Sequence, residues 1–251
     1  MDRLHVATLN IRNLADRWAE RQGLIYADMA ALQPDLLGLQ EAVYVLQQDR
    51  LIGAAGEGTY TAVRGWAGRP EYGNSLLVRS PLVGDDYERI DLGLGRSAHR
   101  VRVALPGGAS VVMAVTHFHH PQDAESGRAR DEQAKTLVEW LARSPSADAT
   151  IIVGDFNAPP REPAYARIGM AGFRSSFLEA NGREPEYTWP SGLRAEAMDT
   201  DGDAGCLDYI WVRGDVRVVD CRLAWDRPDV EDPTLYPTDH LGLAAHLEIG
   251  R

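Results

Sequence analysis

Polar residues follow apolar stretches at four separate places in the chain. They are Thr-Leu-Asn at residues 8–10, Leu-Gln-Glu at 39–41, Gly-Asp-Phe-Asn at 154–157 and Thr-Asp-His at 238–240. One polar residue at a strand end is usually a turn former or a helix cap. Four such ends, with a fifth that places His117 after Val-Thr, favour a shared chemical role instead.

The residue types in these segments suit phosphate chemistry. A phosphate ester presents hard anionic oxygens, which bind a hard divalent cation held by carboxylates and water. Glu41 is the natural first ligand, and Asp155 or Asp239 can complete the metal site or polarise an attacking water. An asparagine can hold phosphate without adding repulsive charge, and a protonated histidine can stabilise charge that develops on the phosphoryl group. The pattern therefore indicates a site for Mg²⁺ or Mn²⁺ and a phosphate ester.

Strand patterns precede each of these polar residues. Helical spacing predicts helices at residues 19–33, where Pro34 ends the pattern, and at residues 128–142. A carboxylate at the C-terminal end of a buried strand lies where open α/β sheets place their chemistry. Apolar patterning predicts strands at residues 4–9, 35–41, 59–64, 74–79, 87–92, 100–105, 110–116, 150–155, 207–212, 216–224 and 241–249.

The connections between these elements differ in length. Pro-Gly-Gly at residues 106–108 predicts a hairpin turn. Residues 159–205 are rich in Pro, Gly and charge and predict long surface connections, which in a compact domain are usually functional. No internal repeat is visible, and we expect one α/β domain over residues 1–251.

The chain is acidic. Its 26 Lys and Arg against 37 Asp and Glu give a formal net charge of −11. This balance disfavours broad adhesion to nucleic acid or anionic membranes, because each phosphate contact needs local positive charge. A bound metal and a small Arg cluster can still reverse the field locally, so a polyanionic substrate is not excluded.

No segment of the sequence is typical of a membrane anchor. The first residues enter a strand pattern without an apolar leader, and no stretch approaches the roughly 18 apolar residues of a membrane span. We therefore expect a cytoplasmic protein without stable membrane insertion, and a monomer.

Taken together and in this order, the motifs resemble the endonuclease/exonuclease/phosphatase superfamily. Pancreatic-type DNases, abasic-site endonucleases, inositol-polyphosphate phosphatases and bacterial sphingomyelinases share its fold. The resemblance runs from Asn10 to His240 and implies an α/β four-layer sandwich, in which two mixed β-sheets pack face to face and are flanked by helices. It rests on Leu-Gln-Glu at 39–41, Gly-Asp-Phe-Asn at 154–157, Leu-Asp-Tyr-Ile at 207–210 and Asp-His at 239–240.

The resemblance also implies roles for individual residues. Asp155 resembles the residue that orients or deprotonates the attacking water. Asp208 resembles the carboxylate that holds the catalytic His240 in its tautomer and orientation. The implied metal site comprises Asn10, Glu41 and Asp239. The implied catalytic residues are His117, Asp155, Asn157, Asp208 and His240.

One position departs from part of the superfamily. Abasic-site endonucleases resemble one another in an acidic residue two positions after the first-strand Asn, where this chain has Arg12. Asn-Ile-Arg occurs widely among other members. The departure weakens an abasic-endonuclease assignment and leaves the general reaction unaffected.

Residues on the middle strands are candidates for substrate contact. Asn74 and Arg100 are candidates for phosphate binding, since Arg can bind phosphate through two N–H groups, although an ordinary exposed strand position is the alternative for both. His119 is expected to line the pocket. Tyr72, Arg96 and His99 lie on or beside the same strands and are not included in the predicted site.

Three other patterns were considered for metal binding or thiol chemistry. The three histidines at 117, 119 and 120 are poorly placed for zinc, because a strand end does not easily direct three rings at one ion. The acidic run at 199–203 predicts a solvated loop, because position six is Ala204 where a calcium loop needs Gly and position twelve is Ile210 where it needs Glu. A hairpin centred on residues 213–214 would place Cys206 opposite Cys221, as a pair of reduced thiols.

Several substrates and one non-catalytic class stay open at this point. A nucleic acid is the first candidate, and a small phosphorylated molecule such as an inositol phosphate, a nucleotide or a phospholipid head group is the alternative, because no Lys/Arg-rich stripe is present. A binding module would be expected to lack some of Glu41, Asp155, Asp208 and His240. A serine hydrolase is excluded by the absence of a Gly-x-Ser-x-Gly motif.

Overall fold

Two six-stranded β-sheets pack face to face, and helices cover their outer surfaces. The computed structural model describes residues 1–66, 72–121, 123–196, 198 and 202–250. Within these ranges the architecture is the predicted α/β four-layer sandwich. The acidic run at 199–203 falls largely outside the described residues.

The first sheet contains the two ends of the chain. Its strands are β1 (Asp2–Asn10), β2 (Leu36–Val43), β3 (Tyr60–Trp66), β4 (Tyr72–Arg79), β11 (Val216–Ala224) and β12 (Gly242–Ile249). Their order across the sheet is β11-β12-β1-β2-β4-β3. β1 pairs in parallel with β2 and antiparallel with β12, so the sheet is mixed.

The second sheet has the same number of strands. They are β5 (Gly84–Gly93), β6 (Arg96–Ala104), β7 (Ser110–His117), β8 (Ala149–Asp155), β9 (Arg174–Ser175) and β10 (Asp208–Gly214). Their order is β5-β6-β7-β8-β10-β9, and the one parallel pair described in it is β7 with β8.

The helices lie outside the sheets. They are α1 (Trp18–Leu32), α2 (Asp49–Ala55), α3 (Ala124–Ala142), α4 (Pro163–Met170) and α5 (Ser176–Asn181). Ile25 and Met29 of α1 pack on the first sheet, and Leu137 of α3 packs on the second. No helix in the described ranges is long and apolar enough to cross a membrane.

A continuous apolar core fills the space between the sheets. Val6 and Leu36 of the first sheet meet Val115 and Val153 of the second. At Gly38 the approach is close, because a β-carbon there would lie 2.3 Å from Cγ2 of Val153. Burial of this apolar surface is the main force that holds the two sheets together.

The segment after β2 differs from the sequence prediction. After β2 the chain forms a single π-helical turn (Tyr44–Gln48) and then α2, and neither was predicted. The side chains of Gln47 and Gln48 are buried and hydrogen-bonded, whereas Val45 is exposed. A helix is recognised from apolar residues on its buried face and polar residues on its exposed face. This segment has the opposite arrangement, so its helical turns were not predicted.

The predicted hairpin between the two cysteines is wrong. β10 pairs with β8 and β9 in the second sheet, whereas β11 pairs with β12 in the first. Cys206 and Cys221 are therefore not cross-strand partners, although both are free and buried. The chain crosses between the sheets at Gly214, whose φ of 103° and close approach to the carbonyl oxygen of Asp148 require glycine.

Candidate active site

The ends of β1, β2, β7 and β8 meet at one edge of the sandwich. His117 and Asp208 are both register partners of Asp155 in the second sheet. The amide of Asn10, at the end of β1, donates to Oδ2 of Asp155 at 3.0 Å. This bond joins the catalytic edge of the first sheet to that of the second.

Glu41 is turned into the site by an irregular backbone. The pairing of β2 with β4 is interrupted between Leu39 and Ala42, and Glu41 has a φ of 57°. A bulge of this kind re-aims a side chain at the end of a strand. The carboxylate then accepts hydrogen bonds from the side-chain amides of Asn10 at 3.3 Å and Asn13 at 2.9 Å.

A buried arginine holds the loop that carries Asn13. Arg21 lies on the inner face of α1, fully buried, and has no ion-pair partner among the described residues. Burial lowers the pKa of its guanidinium to about 10, so it stays charged at neutral pH. Its N–H groups donate to the backbone carbonyl oxygens of Ile11, Arg12, Asn13, Ala15, Asp16 and Pro237.

The same loop brings Arg12 to Asp239. Nε of Arg12 donates to Oδ2 of Asp16 at 2.7 Å, and its Nη1 lies 3.5 Å from Oδ2 of Asp239. Thr238 also donates to Asp239, at 3.2 Å. Asp239 thus enters the site already paired with a cation.

His240 is held by a carboxylate and a threonine. Nδ1 of His240 lies 2.8 Å from Oδ2 of Asp208, and the same oxygen accepts the hydroxyl of Thr188 at 2.7 Å. The backbone N–H groups of Leu207 and Asp208 donate to that hydroxyl in turn. Burial alone would lower the pKa of His240, but Asp208, Asp155 and Asp239 outweigh burial and raise it, so the ring is an imidazolium.

Asp155 lies at the centre of the site. Its Oδ1 accepts the backbone N–H of Asn157 at 2.9 Å, and its Oδ2 lies 3.4 Å from Nε2 of His117 and 3.7 Å from Nε2 of His240. Burial raises the pKa of this carboxyl above its usual range, and His240 opposes that rise. Gly154 is required here, because a β-carbon would lie 2.1 Å from the carbonyl oxygen of Thr116.

The two histidines of the site carry different charge. Burial lowers the pKa of His117 well below its usual value, and Arg96 and His240 lower it further. His117 is therefore neutral, whereas His240 is protonated. The protonated ring of His240 can stabilise negative charge, whereas the neutral ring of His117 can donate a hydrogen bond or accept a proton.

The carboxylates of the site differ in how they could bind a metal. Asp155, Asp208 and His240 offer atoms within 4.8 Å of one another and could hold an ion. Their atoms already bond to one another, to Thr188 and to Asn10. Glu41 accepts hydrogen bonds from neutral amides and forms no ion pair within the described part of the chain. Its carboxylate fits a hard cation better than the hydrogen-bonded cluster does.

The site opens into two adjoining cavities. The larger, of about 520 Å³, is lined by catalytic candidates and also by Arg12, His120 and Trp189. The smaller, of about 320 Å³, extends towards Asn74 and the turn between β5 and β6. Residues shared by both walls are Glu41, Tyr72, Arg96 and His117.

Most of the predicted site residues come together here. Asn10 and Asp208 lie behind the cavity walls and bond to residues that line them. The amide of Asn74 donates to the carbonyl oxygen of Ser97 and ties β4 to β6. The predicted residues that line a cavity are Glu41, Asn74, His117, Asp155, Asn157, Asp239 and His240.

Arg100 and His119 do not reach the site. Arg100 lies on the outer face of the second sheet, where its guanidinium pairs with Glu88 and lies 5.1 Å from the centre of the Trp140 ring. It stands four residues inside β6, too far from the catalytic edge. The backbone of His119 bonds to side chains of α3, and His120 lines the larger cavity in its place.

Some residues of the site were not predicted. Arg21 carried a signal, because it shares the helical face of Ile25 and Met29 at intervals of four residues. A charged residue in an apolar stripe indicates a buried polar contact. Thr188 carried none, since it lies in a loop whose path the sequence does not reveal.

The fold and the site define a class of protein. The chain belongs to the Endonuclease/Exonuclease/phosphatase family, whose model matches residues 7–240. This family groups endonucleases, exonucleases and phosphatases.

Particular relatives are similar along most of the chain. Human Nocturnin is 29% identical over 259 residues, which cover 90% of this chain and 57% of Nocturnin. The structure of the human Nocturnin catalytic domain with bound sulfate anion matches with a TM-score of 0.80 and 22% identity, over 100% of this chain and 97% of that one. D. rerio TDP2 complexed with single strand DNA product matches with a TM-score of 0.82 and 18% identity, over 98% and 99%. The two structural matches support the fold.

Proposed function

We propose that this chain hydrolyses a phosphate ester by in-line attack of water, with Mg²⁺ or Mn²⁺ held by Glu41 and Asn10 close to Asp239. The observation that carries the proposal is the arrangement around Asp155. The amide of Asn10 and the rings of His117 and His240 all approach the same oxygen, Oδ2, of this carboxylate.

Each residue has a distinct task in the proposed reaction. Asp155 orients the attacking water and accepts its proton, a task suited to a carboxyl whose pKa is raised. The imidazolium of His240, held by Asp208, stabilises negative charge on the phosphoryl oxygens. His117 is neutral and supports the leaving group, and Asn157 contacts the phosphate. A bound divalent cation would neutralise phosphate charge and polarise the ester.

The substrate is proposed to be a nucleic acid or a small phosphorylated molecule. Among the structural relatives, D. rerio TDP2 is complexed with a single strand DNA product, and the human Nocturnin catalytic domain has a bound sulfate anion. Both ligands are oxyanions. The net charge of −11 favours a short or small substrate over a long duplex footprint. A cytoplasmic, monomeric enzyme is part of the same proposal.

The test is hydrolysis of a panel that includes plasmid DNA, RNA, nucleotides, inositol phosphates and phospholipids, with Mg²⁺, Mn²⁺ or EDTA. Asp155→Ala is the inactive variant. His246→Ala is the matched control, because His246 forms an exposed pair with Asp220 at 3.0 Å, far along β12 from the site. Metal-dependent hydrolysis that is lost only in Asp155→Ala supports the proposal.

A second outcome would favour a different class. Metal binding without hydrolysis of any substrate would support a non-catalytic binding module of the same fold. Hydrolysis that persists in EDTA or in Asp155→Ala would contradict the proposed mechanism and point to a contaminating activity or another site.

A further inference from the structure

Within the described part of the chain, the cation Arg96 has no carboxylate partner, although the protein is acidic. It begins β6, directly after the turn that joins β5 to β6, and it lines both cavities. Among the residues that the structure describes, no carboxylate oxygen lies within 4.0 Å of its guanidinium. Arg12, the other arginine of the larger cavity, pairs with Asp16 and Asp239. No carboxylate of the described residues therefore compensates the charge of Arg96, which can pair with an anionic ligand.

The neighbourhood of Arg96 also supplies hydrogen-bond donors. Its Nη2 lies 3.3 Å from Nδ1 of His120. Arginine can only donate, so Nδ1 is the acceptor and His120 carries its proton on Nε2. A guanidinium has five N–H donors in a planar fork, so most of them stay available after this one contact.

The smaller cavity leads away from the reacting groups. Glu41 and His117 line both cavities, whereas Asp155, Asp239 and His240 line only the larger. Arg96 stands at the junction. If the scissile phosphate lies between Glu41 and His240, Arg96 is free to bind a different part of the substrate.

We propose that Arg96 forms a subsite for a second phosphate group of the substrate, distinct from the phosphate that is hydrolysed. The inference rests on the proposed function and narrows it. The preferred substrates are then esters with a second phosphate close to the scissile one, such as an oligonucleotide or a nucleoside bisphosphate. A lone phosphomonoester would lack this contact.

Two substrates that differ by one phosphate test the subsite. They are thymidine 5′-(4-nitrophenyl phosphate) and the same compound with a 3′-phosphate, and the readout is the ratio of their kcat/KM values. We expect the 3′-phosphate to raise kcat/KM at least about tenfold in the wild type, which corresponds to about 1.4 kcal/mol. In Arg96→Met the ratio should fall towards one.

Two further variants separate charge from geometry and from position. Arg96→Lys keeps the charge and loses the planar fork, so it should retain part of the ratio. Arg102→Met is the matched control, because Arg102 lies on the same strand, outside both cavities, near Asp85. It should keep the full ratio. A wild-type ratio near one, or an Arg96→Met ratio equal to that of the wild type, would overturn the subsite.

Binding measurements keep the subsite testable if neither ester is hydrolysed. Calorimetry would compare thymidine 3′,5′-bisphosphate with thymidine 5′-monophosphate. Tighter binding of the bisphosphate that is lost in Arg96→Met would support the subsite while the hydrolysis proposal fails. Equal affinities in the wild type would refute the subsite independently of turnover.

Discussion

The two sheets build their halves of the site in opposite ways. On the first sheet, Glu41 is held by neutral amides, and the loop beside it is held by carbonyl bonds to the buried Arg21. On the second sheet, the carboxylates of Asp155 and Asp208 are compensated by the imidazolium of His240, which reaches them from the segment just before β12. Neutral support leaves the Glu41 carboxylate its full charge for a cation, whereas charges enclosed in the second half must compensate one another.

The difference shows why the site lies between the sheets. In the proposed mechanism the metal ligand has to stay open to solvent, and the catalytic histidine and its carboxylate have to be shielded. Glu41 of the first sheet meets the first demand, and the buried Asp155 and Asp208 of the second sheet meet the other. The bond from Asn10 to Asp155 then sets the two halves in register.

A substitution in the charged cluster of Asp155, Asp208 and His240 should have the largest effect on the rate of hydrolysis. Asp208→Asn removes the carboxylate that compensates His240, so we expect kcat to fall at least about a hundredfold. Steady-state kinetics on the best substrate would measure it. Asp220→Asn, in the exposed pair with His246, is the control and should keep wild-type kcat. An active Asp208→Asn enzyme would remove the pair from the mechanism.

A substitution of Glu41, which is held by neutral amides, should act on metal binding. Glu41→Gln keeps the shape of the side chain and removes its charge, so we expect Mn²⁺ affinity to fall at least about tenfold. Calorimetric titration with Mn²⁺ measures this without turnover. Asp208→Asn should change the same affinity less. The reverse order of the two effects would place the metal on the cluster of Asp155, Asp208 and His240.

Loosening the loop beside Glu41 should give a smaller effect of the same kind. Arg21→Met deletes its bonds to backbone carbonyls, so we expect Mn²⁺ affinity to fall several-fold and the protein to lose about 2–4 kcal/mol of stability. Ile25→Ala, one helical turn away, should lose similar stability with unchanged metal affinity. Equal metal affinities in the two variants would show that Arg21 only stabilises the fold.

The smallest effect is expected at Thr188. Thr188→Val removes one hydroxyl from Asp208 and leaves the pair with His240 in place. We expect kcat to fall a few-fold and stability to fall by about 1 kcal/mol. Thr136→Val, at an exposed hydroxyl of α3, controls for the substitution itself. A loss as large as that of Asp208→Asn would mean that the hydroxyl, and not charge, orients the carboxylate.

The strands and the residues at their ends can be predicted from the sequence, because apolar runs and the polar residues that follow them are local signals. Asn10, Glu41, Asp155 and His240 stand out in this way. The assignment of β10 and β11 to different sheets depends on long-range pairing, which local patterning does not contain. The hairpin predicted for Cys206 fails for that reason.

The proposed substrate-contact residues are harder to predict from the sequence than the proposed catalytic ones. Arg96 and Arg100 are two arginines of the same strand, β6. They differ in their distance from the end of the strand, and Arg100 packs against Trp140 of α3. The sequence favours Arg100 for phosphate contact, whereas Arg96 is the one that lines the cavity. Whether an arginine of β6 faces the cavity or α3 depends on how the rest of the fold packs around this strand.

The pairing of β1 with β12 has a consequence for how the protein is made. All of the proposed catalytic and metal-binding residues precede Gly242, where β12 begins. Yet β1, which carries Asn10, is completed on one side only by β12, from Asp2 opposite Ile249 onwards. A nascent chain that already contains every proposed reactive side chain therefore still has an unpaired strand edge, and we expect its site to form only after β12 has left the ribosome.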